Sequence, residues 1–382
     1  MHVLLLVLVL LSAATTPARA QSPGAAQPAS FEREPFLVEL AEKGQRERLD
    51  RLLSHHLNPT PSSLLAFLQS GFPPSTLSGK LPAQAGPRTD VYNDAIAELG
   101  FNRVAAAVPT LVEILDGRVP PGLEQVLSID LEPLPLDRSD VVRRDMLAIV
   151  RLNALVALGY IGDPSASGSI LRAMEREPGG AFVTEGAIAL ALLGDGNGLG
   201  ALSPLTQDPR SENLPGVFEA IYVVTGRNYG LTRNTAIPRR EQLIREHAQW
   251  LRGEGAVFEP SRSLVLRRRL VGPLEPELPL EDLRGALRAT RDVDNFDRRY
   301  AGRERMRSLG KSAAPQLRAI VEDEMEDIDI RRAAMTFYAA AEPSEARRVL
   351  RRVERDSVDP LIREVAASLE RSIEQELKNE RR

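Results

Sequence analysis

Few side chains in this sequence are of the types that do chemistry. It has four histidines, and beyond the extreme N-terminus these are His55, His56 and His247. His55 and His56 are adjacent in a stretch with helical spacing. Neighbours on a helix point about 100° apart, while a shared metal needs ligands on one face, as at i and i+4. The pair is read as two surface histidines, and no metal site is nominated. Asp195-Gly196-Asn197-Gly198-Leu199-Gly200 resembles part of a calcium loop. However, Leu199 replaces an oxygen ligand, and Thr206 stands where a bidentate Glu is needed. No strand precedes these glycines, so they are no dinucleotide fingerprint either, and the segment reads as an inter-helix turn. There is no G-x-S-x-G elbow, and the histidines are too few to build a triad around. Cysteine is absent, which removes thiolate zinc sites, cysteine nucleophiles, disulfides and a lipoprotein anchor. No catalytic residue, cofactor site or metal ligand is nominated.

Charged and aromatic residues leave two further candidates. Arg267-Arg268-Arg269 and the Arg298–Arg307 stretch are anion-binding in type. Acidic residues interleave with the second, and the acidic run Glu322–Asp329 lies near in sequence. Both are read as solvated, salt-bridged helix faces. The loop Gly226–Ile237 is the more unusual feature. It gathers Arg227, Asn228, Tyr229, Arg233 and Asn234 between helices bearing Tyr222 and Trp250. Loops on rigid scaffolds often carry function, so these seven residues form the candidate partner-binding set. In the competing reading Tyr229 packs back as a plug and Trp250 is core, because the end of a stacked array must be covered.

The elements that position these residues are expected to be helices. Hydrophobic residues are 43% of the chain but aromatics only 4%, the apolar content being mostly Leu, Ala, Val and Ile. Small residues with Leu suit close helix packing better than a β-sandwich. The formal charge of -4 argues against a nucleic-acid binder. The basic residues are nearly all Arg, with Lys only at 43, 80, 311 and 378, a bias of GC-rich bacterial genomes. From residue 260 onward there are 26 basic and 24 acidic side chains, a dense but balanced pattern.

Four segments share one grammar. Residues 95–115, 150–171, 187–205 and 305–320 each read as a helix ending in Leu-Gly, then a turn, then a second helix with Leu or Ile at i, i+3 or i+4. The glycine is read as a helix C-cap. Gly159 and Gly194 lie 35 positions apart, a plausible repeat unit. The string Val150-Arg151-x-x-Ala154-x-x-x-Leu158-Gly159-x-Ile161-Gly162-Asp163-Pro164 resembles the HEAT-like repeat first recognised in phycobilisome lyases. Ile330-Arg331-Arg332-Ala333-Ala334 and Leu361-Ile362-Arg363-Glu364-Val365-Ala366 echo its opening, after Asp329 and Asp359. The match covers residues 139–205, is fainter at 92–116 and 296–372, and is absent before 90. The resemblance implies an all-α fold, a right-handed α-α superhelix of stacked antiparallel helix pairs. HEAT-like iron hydroxylases carry repeated His-Glu pairs, which this chain lacks.

The expected organisation runs as follows. Residues 1–20 form a signal peptide, with the apolar run Val3–Leu11 and Ala18-Arg19-Ala20 placing the cut between Ala20 and Gln21. Residues 21–34 are a linker, and 35–88 hold N-terminal helices and a Pro-rich loop. Residues 89–255 form the repeat array with capping helices, 256–278 an extended linker, and 279–382 a C-terminal helical block. The expected protein is periplasmic or secreted, with no membrane span after signal removal and no nucleic-acid partner. Its expected role is that of a non-catalytic scaffold binding a protein or peptide in the cell envelope. A lyase-like enzyme or enzyme-associated chaperone, and a structural spacer in a surface assembly, are the alternatives.

Overall fold

The computed structural model describes residues 33–73, 87–133, 135–271, 278–293 and 295–380. The expected signal peptide with its Ala20/Gln21 cut, most of the first linker, and residues 74–86 of the Pro-rich loop lie outside these. Among the described residues every regular element is a helix. None of these helices is long and apolar enough to cross a membrane.

The chain divides into two compact units. The first comprises residues up to Leu205, Gly216–Asn228 and Glu254–Leu274; the second comprises Thr206–Pro215, Tyr229–Gly253 and Glu275 onward. In the first unit lie α1 (Arg33–Ser54), α2 (Pro61–Ser70), α3 (Arg88–Phe101), α4 (Val108–Leu115), α5 (Pro121–Leu131), α6 (Leu136–Ile161), α7 (Ser167–Arg176), α8 (Gly180–Leu192) and α9 (Gly198–Leu202). Helix α10 (Leu214–Thr225) belongs to it from Gly216. Local sequence explains the boundaries. Pro61 starts α2 after Thr60, where a missing N–H costs nothing. Gly162, at φ 80°, ends α6 in the left-handed region. Asp163 then accepts from the Ser165 N–H to begin the next turn.

Within this unit α3 packs on α6 and α6 on α8, and α4 packs on α7. This explains the Leu-Gly signature differently from the sequence expectation. Gly100 and Gly159 are helix-interior residues, not C-caps. A Cβ on Gly100 would lie 2.8 Å from the Ala157 Cα, and one on Gly159 would lie 2.8 Å from the Ala189 Cα. Each glycine lets its helix approach the next. Gly194 and Gly310, by contrast, sit at helix ends with φ 83° and 50°. Gly159 and Gly194 are therefore not equivalent, and their spacing is not the repeat length.

The segment expected to be an extended linker, 256–278, contains helix α12 (Arg262–Val271). Arg267 is exposed, but Arg262, Arg268 and Arg269 are not a solvated face. Arg262 donates to the Leu192 carbonyl at 2.8 Å and the Tyr160 carbonyl at 2.5 Å, at the ends of α8 and α6. Arg268 donates to the Val224 carbonyl at 3.0 Å, at the end of α10. Orphan carbonyls at a helix C-terminus, and the dipole there, favour a cation. Arg269 pairs with Glu185 at 2.6 Å and its side chain is only 8% exposed. At the other end of the unit, α1 docks on α3 through Arg48–Glu98 at 3.0 Å and Arg51–Asp94 at 2.7 Å. His55, expected on the surface, is buried; its Nδ1 lies 2.9 Å from the Arg51 carbonyl and its ring stacks on Phe72.

The second unit holds α11 (Ile237–Arg252), α13 (Leu283–Ala289), α14 (Phe296–Leu309), α15 (Ala314–Glu322), α16 (Ile328–Ala341), α17 (Pro343–Asp356) and α18 (Pro360–Glu380). Helix α16 is central, packing on α13, α15, α17 and α18, while α15 also packs on α17. Leu317, Val321, Ile330, Ala334, Met335 and Tyr338 build much of its core. Arg331, in the middle of this core, is 1% exposed.

Candidate functional site: a charged cavity in the second unit

The loop preceding α11 is pinned from several sides. Thr232 donates its N–H to the Thr235 Oγ1 at 2.9 Å. Arg240, one turn into α11 and buried, donates to the carbonyls of Thr235 at 2.7 Å, Arg233 at 2.5 Å and Pro209 at 3.3 Å. Burial pushes its guanidinium pKa below the usual value. Asn234 fixes the far side. Its Nδ2 donates to the Asp329 carboxylate at 2.7 Å, and its carbonyl accepts from the Ile328 N–H at 2.7 Å.

That last bond places the loop on the start of α16. The N–H groups of this first turn are all occupied. The Asp327 Oδ1 accepts from the Asp329 and Ile330 N–H groups at 3.0 and 3.2 Å, and the Asp327 carbonyl accepts from the Arg331 N–H at 2.9 Å. Asp327 is the N-cap, and its other carboxylate oxygen faces Arg288 of α13 at 3.4 Å. Burial raises the Asp327 carboxyl above the ordinary aspartate value, an effect partly offset by the Ile330 N–H and Arg288.

Loop, α13, the turn after it and the start of α14 surround a cavity of about 400 Å3. Three arginines line it, Arg288, Arg291 and Arg298, and three aspartates, Asp292, Asp327 and Asp329. Thr232, Asn234, Ala289 and Val293 complete the wall. Beside it α14 presents Phe296 and Tyr300, 67% and 57% exposed, and Val293 is 78% exposed at the rim. Positions 296 and 300 are i and i+4, so the two rings share a helix face. Arg299 lies over the Phe296 ring, 5.4 Å from its centroid.

Of the seven residues expected to contact a partner, Asn234 alone lines this cavity. Trp250 is buried, and Tyr229 packs back, its hydroxyl 3.2 Å from the His247 Nδ1. His247 sits between the two rings, edge-on to Tyr229 and stacked on Trp250. Arg233 contributes its carbonyl to Arg240 and leaves its side chain exposed. Tyr222, Arg227 and Asn228 belong to the first unit, where Arg227 pairs with Glu254 at 3.4 Å.

Arg288, Arg291, Asp292 and Asp327 were not singled out from the sequence. The only signal was that the Arg298–Arg307 stretch and the acidic run Glu322–Asp329 lie in one helical block. No local rule brings residue 288 to residue 327. In the first unit a second cavity of about 450 Å3 is lined by Asp116, Arg118, Arg172, Glu175 and Arg176. Its Arg176 is engaged with the carbonyls of Leu115 and Asp116, and it stitches α7 to the end of α4. Among the described residues no group of three or more His, Asp or Glu side chains is placed to hold a metal ion. Compared with family models, with curated proteins and with solved structures, the chain matches none.

Proposed function

We propose that this chain is a right-handed α-α solenoid of the HEAT-like kind. In this reading it is exported to the periplasm or beyond and works as a non-catalytic scaffold for a protein or peptide of the cell envelope. The side-by-side rows α3, α6, α8 and α4, α7 support the solenoid, because a lone helix pair cannot bury its apolar face and stacked neighbours can. One observation carries the binding role. The cavity of the second unit is walled by a loop held at Arg240, Asn234 and Ile328, which makes it a preformed surface. Preformed sites bind with less loss of conformational entropy.

The test uses the full mature protein as bait on envelope extract, beside a Val293→Trp variant. This substitution leaves every charge in place and fills the mouth of the cavity from an exposed position. A partner retained by the wild type and lost by the variant supports the reading. Equal retention by both, with folding unchanged, would sink it.

A further inference from the structure

We infer that the exposed face of α14 pairs with the same face of a second copy of this chain. The two helices run antiparallel, so that Phe296 and Tyr300 of each copy lie against Arg307 and Arg303 of the other. The inference goes beyond the scaffold reading and does not depend on what the cavity holds.

Helix α14 buries only Gly302 and Met306. Gly302 sits against α13, where an added Cβ would lie 2.8 Å from both the Ala286 carbonyl oxygen and the Ala289 Cβ. Met306 joins the core from the same side. A helix turns about 100° per residue, so Phe296, Tyr300, Arg303 and Arg307 fall within about 60° of arc, roughly 110° round from the packed side. All four are exposed, the two rings by 67% and 57% and the Arg307 side chain by 69%. The rings stand out, since every other aromatic side chain from Phe67 to Tyr338 is buried or half-buried. Steps of four, three and four residues are those of a seam along which two helices pack.

The order along this seam selects the partner and its direction. The rings occupy the N-terminal end and the arginines the C-terminal end. A parallel second copy would set arginine on arginine. An antiparallel copy, related by a two-fold axis between residues 301 and 302, sets Phe296 opposite Arg307 and Tyr300 opposite Arg303, each pair occurring twice. A guanidinium over a ring face is attracted to it. The helix already makes one such contact, with Arg299 lying 5.4 Å from the Phe296 centroid. Stacking uses the plane of the guanidinium and leaves its edge to a carboxylate, so Arg307 keeps its bond to Glu304. The pairing therefore needs neither a net charge nor an unused donor. Stable dimers bury about 800 Å2 per partner, and one helix of 14 residues offers less, so the dimer exchanges with monomer.

Sedimentation equilibrium of the full protein over a concentration series tests this. The average mass should rise from one chain toward two. Phe296→Arg with Tyr300→Arg should weaken association about tenfold or more, with no change in the melting temperature of dilute protein, because both side chains are exposed. Arg303→Tyr with Arg307→Tyr makes the complementary seam, and an equal mixture of the two double variants should regain association. Crosslinking reads the direction, since the chain has no cysteine of its own. Antiparallel pairing brings position 297 within about 3 Å of position 308 along the axis and keeps 297 about 14 Å from its own copy. A short bismaleimide should therefore join Asp297→Cys chains to Ser308→Cys chains, and neither to itself. Four results would overturn the inference: a mass of one chain up to about 1 mM, undiminished association of the arginine double variant, no association between the complementary variants, or Asp297→Cys chains crosslinking to themselves. A wild type that stays one chain and floats with phosphatidylglycerol vesicles would assign the face to a lipid surface instead. None of these outcomes bears on the scaffold reading, which the Val293→Trp capture tests separately.

Discussion

Two residues at the start of α16 show how much one side chain can hold. Arg331 donates to the Val321 carbonyl at 2.9 Å, to Ser357 at 3.4 Å and to Glu324, joining the end of α15 to the end of α17. Removing it would strand a buried carbonyl and remove one of the largest fully buried side chains. Arg331→Ala should therefore lower the unfolding free energy by about 3 kcal/mol or more. Arg331→Lys should recover less than half of that, because an ammonium does not span three separate acceptors. Urea denaturation measures both, and a loss under ~1 kcal/mol for the alanine variant would contradict the assignment. Asp327 makes a different case. Its cap predicts that Asp327→Ala weakens the protein by about 1 kcal/mol, with Asp327→Asn milder since the amide oxygen can still cap. Burial raises its folded pKa above the ordinary value of 3.8, so the folded state holds the proton more tightly than the unfolded chain. The contribution of this group to stability therefore falls as pH rises from that ordinary value through the raised one, and is flat above it. The stability difference between wild type and Asp327→Asn should shift over this window, to the disadvantage of the wild type as pH rises. A difference that stays constant from about pH 4 to pH 7 would refute the sign.

At the scale of elements, close approach between neighbouring helices decides the sequence. Ordinarily Gly→Ala within a helix stabilises by roughly 1 kcal/mol. At Gly159 the added methyl would meet the Ala189 backbone at 2.8 Å, and backbone cannot swing aside. Overpacking of this kind costs about 1–3 kcal/mol, so the sign reverses and Gly159→Ala should destabilise. Gly168 of α7 supplies the control, since it is exposed and its nearest neighbour is the end of Arg172 at 3.5 Å. There the alanine should be neutral or stabilising, and matched urea midpoints for the two variants would undermine the stacking contact. The same glycines mark what was legible. The helical class, the pair-wise grammar and the Leu-Gly positions could be read directly, because they rest on short-range periodicity. Their role could not, because Ala189 lies thirty residues from Gly159 and only the fold joins them. Helix α12 was hidden for a related reason. Its arginines read as a surface, and Arg262 and Arg268 become caps only when the ends of α6, α8 and α10 are placed around them. Of the two aspartates that stand before the repeat openings, Asp359 caps α18, whereas α16 is capped by Asp327, two residues ahead of Asp329, which faces the cavity. The cavity itself depends on residues 232–234, 288–298 and 327–329, three segments with no sequence pattern linking them.

Scaled to the whole molecule, the reading to be tested is stacking itself. In a stacked array each helix pair relies on its neighbours alone, so losing one end damages only what touches it. In a closed bundle the core is shared and the same loss is global. Helix α18 offers the cut. It contributes Ile362, Ala366 and Ile373 to the core and holds α17 through Glu370 with Arg347 and Arg351, at 2.7 and 2.6 Å. It packs on α16 and α17. A chain ending after Val358 keeps Ser357, and with it the partner of Arg331. For a stacked array such a chain should lose the helicity of α18 and fray α17, while amides in α13, α14 and α15 keep their protection from hydrogen exchange. Its melting temperature should fall, and the newly bared apolar face of α16 and α17 should make it prone to associate. Circular dichroism gives the helix content and hydrogen exchange gives its location. Collapse of protection throughout α13–α17 would mean a shared core, and the solenoid reading would then fail for the second unit whatever the rows of the first unit suggest.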